Sequence, residues 1–416
     1  MKKIQRLLKN QNFVLMFLGK MVSNLGSMLY LTGIAWYIMD SAGEAQSGKM
    51  IAIFGICGVL PRMVTGIFSG IYVDRWDRKK IIYRCDLIQG VLFTILSILS
   101  FTNALSFPAI FIVVGLSNMI MAFFGPAVDS SIPNIVEEKD LMSVNSVFGT
   151  VDQTTNIVGA ALAGIIYYYL GITALLGING ISFFISGISE MFLKIPNSNS
   201  KKEQQTPWKD LVDGFKYIMK KRSIVILLGF ALVLNFLFNP LFQIIFPKMI
   251  KFTLKMSSRE YGLLEMMFPI GGIIGMVFIS MLNEQKSYKL MILKGIVGQG
   301  IFVIGMSFSV FGWSAGYYGN ALVIVFLTIC IIGIGLMNAV TNMPLFTIFQ
   351  KEVDDEYRGR FFSLVSIASQ GIVPLGFVVF GIISDKFAGE CIFLVTSLIF
   401  VLVGLSMFFM KSLDDL

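Results

Sequence analysis

Histidine is absent from the chain, so imidazole acid/base chemistry and His-ligated metals are excluded. Charge is scarce as well: 14% of the 416 residues are charged, against about 25% in an ordinary soluble domain. The four cysteines, Cys57, Cys85, Cys330 and Cys391, stand far apart inside apolar segments without metal-ligand spacing. They read as small core residues, and no metal or other cofactor is expected. No G-x-x-x-x-G-K-[ST] loop is present, which removes nucleotide hydrolysis by that route. An intramembrane enzyme would need a nucleophile–base or metal constellation, and a receptor a sizeable soluble sensing domain. The sequence offers neither, so no catalytic residue is assigned.

What the chain does have is apolar runs. Hydrophobic residues make up 56% of it and the mean hydropathy is +0.78. Twelve segments are long enough to cross a hydrocarbon layer of about 30 Å as helix: 13–39, 49–73, 81–102, 107–132, 141–169, 172–194, 223–249, 260–282, 288–311, 318–348, 359–384 and 389–410. Helix is required because backbone groups in lipid must be satisfied within the segment. The first run is too long for a signal-peptide core and should stay as a helix. The fold class is therefore an all-α polytopic membrane protein.

An even count places both termini on one side. If that side is the cytoplasm, the inner loops and tails hold 25 Lys and Arg and the outer loops six. The positive-inside rule favours this orientation. It also explains the net charge of +8 without nucleic acid. The basic outer cluster from Lys248 to Arg259 goes against the rule.

Residues 195–222 form the longest polar stretch, basic and mid-chain, with a short amphipathic surface helix expected around Trp208–Lys220. It separates two expected six-helix bundles, 1–194 and 223–416. The halves echo one another. "IPNIVEEKDLMSVNS" from Ile132 matches "IFQKEVDDEYRGRFFS" from Ile348, and Gly164 answers Gly381. Offsets near half the chain indicate parallel duplication, which yields two bundles with a cavity between them.

One polar knot interrupts the apolar pattern: "GIYVDRWDRKK", with Asp74, Arg75, Asp77, Arg78, Lys79 and Lys80 within seven residues. Its Gly70, Asp74, Arg75, Arg78 and Lys79 resemble the loop between the second and third helices of the major facilitator superfamily, G-x-x-x-D-R-x-G-R-[RK]. Asp77 stands where that family usually has Gly. The segment Arg358–Asp385 resembles the eleventh helix of its drug:proton antiporter branch, which includes macrolide-efflux proteins. In helix five, Ala160 follows Gly159 where that branch usually has Gly-Pro. The resemblance covers nearly the whole chain. It implies two six-helix bundles in a bacterial plasma membrane, working by alternating access. It also implies efflux of small amphipathic, drug-like substrates against protons. Uptake, or lipid or siderophore transport, is the alternative on the same scaffold, and a monomer is expected.

The resemblance implies a cytoplasmic latch of Asp74, Arg75 and Arg78, whose mixed signs exceed what topology anchoring needs. Polar stripes at helical spacing mark the cavity. They are Lys20 and Asn24 in helix one, Asn118 in four, Asn156 in five, Asn235, Asn239 and Gln243 in seven, and Asn338 and Asn342 in ten. Helices 1, 4, 7 and 10 line the cavity in the family. Gly19, Gly26 and Gly33 recur every seven residues in helix one and read as a close helix contact. Asp152 is the acid nearest the middle of a span and is the candidate proton carrier. Arg62 at similar depth, or Lys20, is its expected partner, and Glu190 is the next candidate. Glu190, Asp86 and Asp129 lie nearer helix ends, where water or basic partners are expected to reach them.

Overall fold

The computed structural model describes residues 2–137, 140–195, 215–216, 218–281 and 287–413, excluding the side chains of 2–5, 70, 71, 74, 75, 355–360, 363 and 411. The described residues are mostly helical, with no strand among them. Residues 208–214 and 217 of the expected surface helix lie outside them. The chain forms two compact units: Met1–Ser41 with Ile53–Glu203, and Ala42–Ala52 with Gln204–Leu416.

In the first unit a short helix, Lys2–Lys9, precedes α1 (Gln11–Ala42). Next come α2 (Glu44–Arg75), α3 (Arg78–Phe101) and α4 (Phe107–Ile135). The first turns of α2 belong to the second unit. A continuous helical segment, Leu141–Glu190, contains 50 residues, about 75 Å at 1.5 Å per residue and more than two bilayer cores. It turns at Gly171, whose φ of 71° and ψ of −173° belong to a region essentially closed to residues with a Cβ. Two crossings result, α5 (141–170) and α6 (172–190). Among the described residues eleven helical segments are long and apolar enough to span a membrane, and this division makes twelve.

The second unit holds α7 (Arg222–Thr253), α8 (Ser258–Ser280), α9 (Tyr288–Ser314) and α10 (Asn320–Glu352). It continues with α11 (Asp355–Gly371, extended by Val373–Ile383) and α12 (Gly389–Phe409). The C-terminal half of α7 widens into π turns at Leu241–Ile245 and Met249–Thr253. Such turns insert a residue into the helix and re-aim its side chains.

Helices pack where glycine lets them approach. The seven-residue glycine face of α1 lies on α6. A Cβ at Gly19 would meet Ser186 Oγ at 2.9 Å, and one at Gly26 or Gly33 would collide with Ser182 or Leu175. In the second unit, Gly271 and Gly275 of α8 bring their backbone against Ile332 and Leu336 of α10. Duplication is visible in a shared tie between helices. Gln89 of α3 donates to Ser117 O of α4 at 3.2 Å, and Gln299 of α9 donates to Thr341 Oγ1 of α10 at 2.9 Å. Cys85 and Cys330 are buried as expected, whereas Cys391 is exposed in the first turn of α12 and is not a core residue.

Overpacking a helix contact costs about 1–3 kcal/mol, and Gly26 has less room than most. Gly26→Leu should lower the thermal unfolding midpoint of the detergent-solubilised protein by several degrees. Gly229→Ala, where nothing lies within 4 Å, should leave it unchanged or raise it slightly. Equal midpoints for Gly26→Leu and the parent would show that α1 and α6 do not need this contact.

Candidate functional site

On α1 of the first unit, Lys20 and Asn24 are one turn apart and reach the same carboxylate. Lys20 Nζ lies 3.0 Å from Asp152 Oδ2, and Asn24 Nδ2 donates to Asp152 Oδ1 at 2.7 Å. Lys20 also sits over the Phe148 ring, 5.0 Å from its centroid. Asp129 of α4 is within electrostatic reach of both Lys20 and Asp152. Asn156, half-buried, follows one turn along α5. The Asp152 side chain keeps 46% of its exposure, so the pair is open on one side. A charge at mid-span is costly unless it is paired or faces water or protein. Here Lys20 supplies the pairing.

Other first-unit candidates lie apart from this cluster. Asn118 donates back to Val114 O at 3.0 Å. Arg62 is exposed, with no ion pair within 4 Å among the described residues. Glu190 is 1% exposed and accepts from Ser186 Oγ at 3.5 Å. It lies within electrostatic reach of Asp86, which is fully buried, and neither Asp86 oxygen has a hydrogen-bond partner. Neither acid has a cation within 4 Å among the described residues. The expectation that water or basic partners reach these two is therefore corrected. Glu190 is covered near its helix end by α1, whose Gly19 lies against it.

At the rim, Arg78 Nη1 donates to Ser130 O at 3.0 Å, tying the start of α3 to α4. Asp77 is the N-cap of α3, accepting from Lys80 N at 3.3 Å. Ending one helix and starting the next calls for such a residue, which accounts for an acid among the basic residues there. The side chains of Asp74 and Arg75 lie outside the described residues.

In the second unit, the stripes of α7 and α10 converge. A cavity of about 90 Å³ is lined by Asn235, Asn338, Thr341, Asn342 and Gln299, among apolar neighbours. Asn239 donates to Asn235 Oδ1 at 3.1 Å and Asn342 to Asn338 Oδ1 at 3.0 Å, so each stripe is linked along its own helix. Gln243 is exposed in the first π turn and does not line this cavity. Gln299 was not among the candidates. A glutamine flanked by glycines in "VGQGIF" (297–302) was the available signal.

Lys248 was also missed as a functional residue. It belongs to the basic outer cluster that offended the charge rule, yet its side chain is 11% exposed. It pairs with Asp385 Oδ1 at 2.6 Å and donates to Ser384 O at 2.7 Å, capping the end of α11. A neutralised lysine of this kind is no loose loop charge.

The Major Facilitator Superfamily model matches residues 16–376. Macrolide efflux protein A of Streptococcus pyogenes is 23% identical over 398 residues, covering 94% of each chain. The staphyloferrin A transporter of Staphylococcus aureus is 24% identical over 371 residues and 87% of each. Among solved structures, the nucleoside transporter NupG aligns with a TM-score of 0.76 over 96% of this chain and 99% of its own, at 15% identity.

The Gln299–Thr341 bond is buried and neutral, a type worth about 0.5–1.5 kcal/mol net. A double-mutant cycle of Gln299→Leu and Thr341→Val on thermal unfolding should give a coupling of that size. Strict additivity would remove the tie.

Proposed function

Because the chain belongs to the major facilitator superfamily and is a multi-pass membrane transporter rather than an enzyme, we propose that it exports amphipathic small molecules in exchange for protons. The observation that carries this reading is the half-open carboxylate of Asp152, held by Lys20 and Asn24 within the spans. The resemblance to macrolide efflux protein A along 94% of both chains supports the direction and the substrate class.

The chemistry follows from the charges. While Asp152 is ionised, Lys20 is neutralised and the cluster is closed. A proton arriving on Asp152 cancels the attraction and leaves Lys20 and Asn24 free to turn towards other partners. Alternating access then requires that the proton arrive from outside and leave inside, with substrate moving the opposite way. The Asn235, Asn338 and Asn342 face would bind the polar part of the substrate, and the surrounding Phe and Leu side chains its apolar part. Arg62 and Glu190 are secondary candidates for the proton path. Asp74, Arg75 and Arg78 are proposed as the cytoplasmic latch, with both termini on that side. The Arg78 bond to α4 supports a rim that is braced from within its own unit.

Inverted vesicles containing the protein should accumulate a fluorescent amphipathic dye when acidified inside, and should stop when the gradient is collapsed. Asp152→Asn should retain dye binding and lose gradient-driven accumulation by more than tenfold. Accumulation that stays coupled to the gradient in Asp152→Asn would move the proton site elsewhere. Uptake is the second reading, favoured by the likeness to the staphyloferrin A transporter, and would show as dye moving the other way.

Asp74→Asn should reach the membrane in normal amount, transport at a reduced rate, and change the labelling of a cysteine placed in the cytoplasmic mouth. Unchanged labelling and transport would make Asp74 a topology anchor only.

A further inference from the structure

A second cavity, about 430 Å³, opens in the second unit between the end of α7, the α11–α12 turn and the first turn of α2. Its volume lies in the range of small-molecule sites. The charged residues lining it are Glu44, Lys248, Asp385, Lys386 and Glu390, which leaves one negative charge in excess. Lys248 is already committed. Its ammonium is shared between Asp385 Oδ1 and Ser384 O, and the second π turn of α7 begins at the next residue.

Two acceptors remain. Asp385 Oδ2 is buried without a hydrogen-bond partner, on a side chain that is 7% exposed. Glu390 Oε2 is likewise buried without a partner. Glu390 sits in the first turn of α12. Lys386 lines the same cavity but makes no ion pair within 4 Å among the described residues. Carboxylate oxygens withdrawn from water require a donor, because an unmet charged acceptor costs more than a neutral one. Apolar surface lies beside them: Met249 and Phe252 from α7, and Ile392 from α12.

We propose that this cavity binds an amphipathic monocation carrying a protonated amine, with the Asp385 and Glu390 carboxylates turning their unpartnered oxygens to the ammonium as it enters and the apolar body lying on Met249, Phe252 and Ile392. The proposal rests on the exporter reading and adds a substrate requirement, a basic amine. It places recognition at the end of α7 distant from the Asn235–Asn342 cavity. The Lys248–Asp385 pair fixes the receiving carboxylate, so Lys248 is a positioning residue.

The test uses the purified full-length protein in detergent and two fluorescent probes. Monodansylcadaverine has an apolar dansyl group and a primary ammonium; its N-acetyl derivative keeps the body and loses the charge. The parent protein should bind the ammonium probe at least tenfold more tightly. Glu390→Gln should reduce that preference to about twofold or less, and Lys386→Gln should strengthen ammonium binding. Asp385→Asn should also lose the preference, but it strips Lys248 of its partner and can unfold, so Glu390→Gln carries the decision. Equal affinities in the parent, or an intact preference in Glu390→Gln, would overturn the site. Should Glu390→Gln fail to fold, Lys386→Gln decides: ammonium binding no tighter than in the parent would overturn the site. Vesicle transport separates this from the exporter reading. Pumping of both probes without an ammonium preference keeps the exporter and rejects the site. A preference without pumping of either probe keeps the site and rejects the exporter.

Discussion

A helix surrounded by hydrocarbon gains little by hiding one apolar side chain behind another, because lipid tails are as apolar as leucine. Association then depends on how closely backbones can approach and on the few polar groups that bond across. Both units obey this constraint. Glycines of α1 admit serines and a leucine of α6, and the glycines of α8 and α10 bring backbone directly against backbone. Where the approach is close, single hydrogen bonds from Gln89 and Gln299 hold the register. These contacts make the rigid frame against which the less satisfied groups stand out.

The less satisfied groups divide into two kinds. Some are covered, such as Asp86 and Glu190, both buried, the second against Gly19 of α1. Others are half-open, such as Asp152, which is paired but still reachable. Only the second kind can exchange a proton or a partner without a helix moving first. That distinction, more than depth in the membrane, is why Asp152 rather than Glu190 is proposed as the exchanging group. Lys248 extends the same logic to topology. A cation satisfied by Asp385 inside the protein exerts little pull on the orientation of its span.

Much of this was legible along the chain. The apolar runs predict the spans because spanning length is fixed by the bilayer, and the stripe on α10 predicts a shared face because helical spacing places Asn338 and Asn342 together. The heptad of glycines predicts a close contact but not its partner, which turns out to be α6. What escaped depends on residues distant in sequence. Lys248 and Asp385 are 137 positions apart, and nothing local to either marks the other. Asp86 and Glu190 looked accessible because depth along a helix says nothing of which neighbour covers it. Gln243 fits the stripe of α7 by count, yet the small cavity ends at the level of Phe238, short of both Asn239 and Gln243.

The turn at Gly171 has a mechanical consequence. Most neighbouring spans are joined by loops with some slack, so one can tilt while the other stays. Here α5 passes into α6 through a single residue held at φ 71°, and there is no slack to take up. Any tilt of α5 at that end must drag the start of α6 with it. The helix that carries Asp152 is thus geared to the helix that packs on the glycine face of α1, and the two can tilt at that end only as a pair.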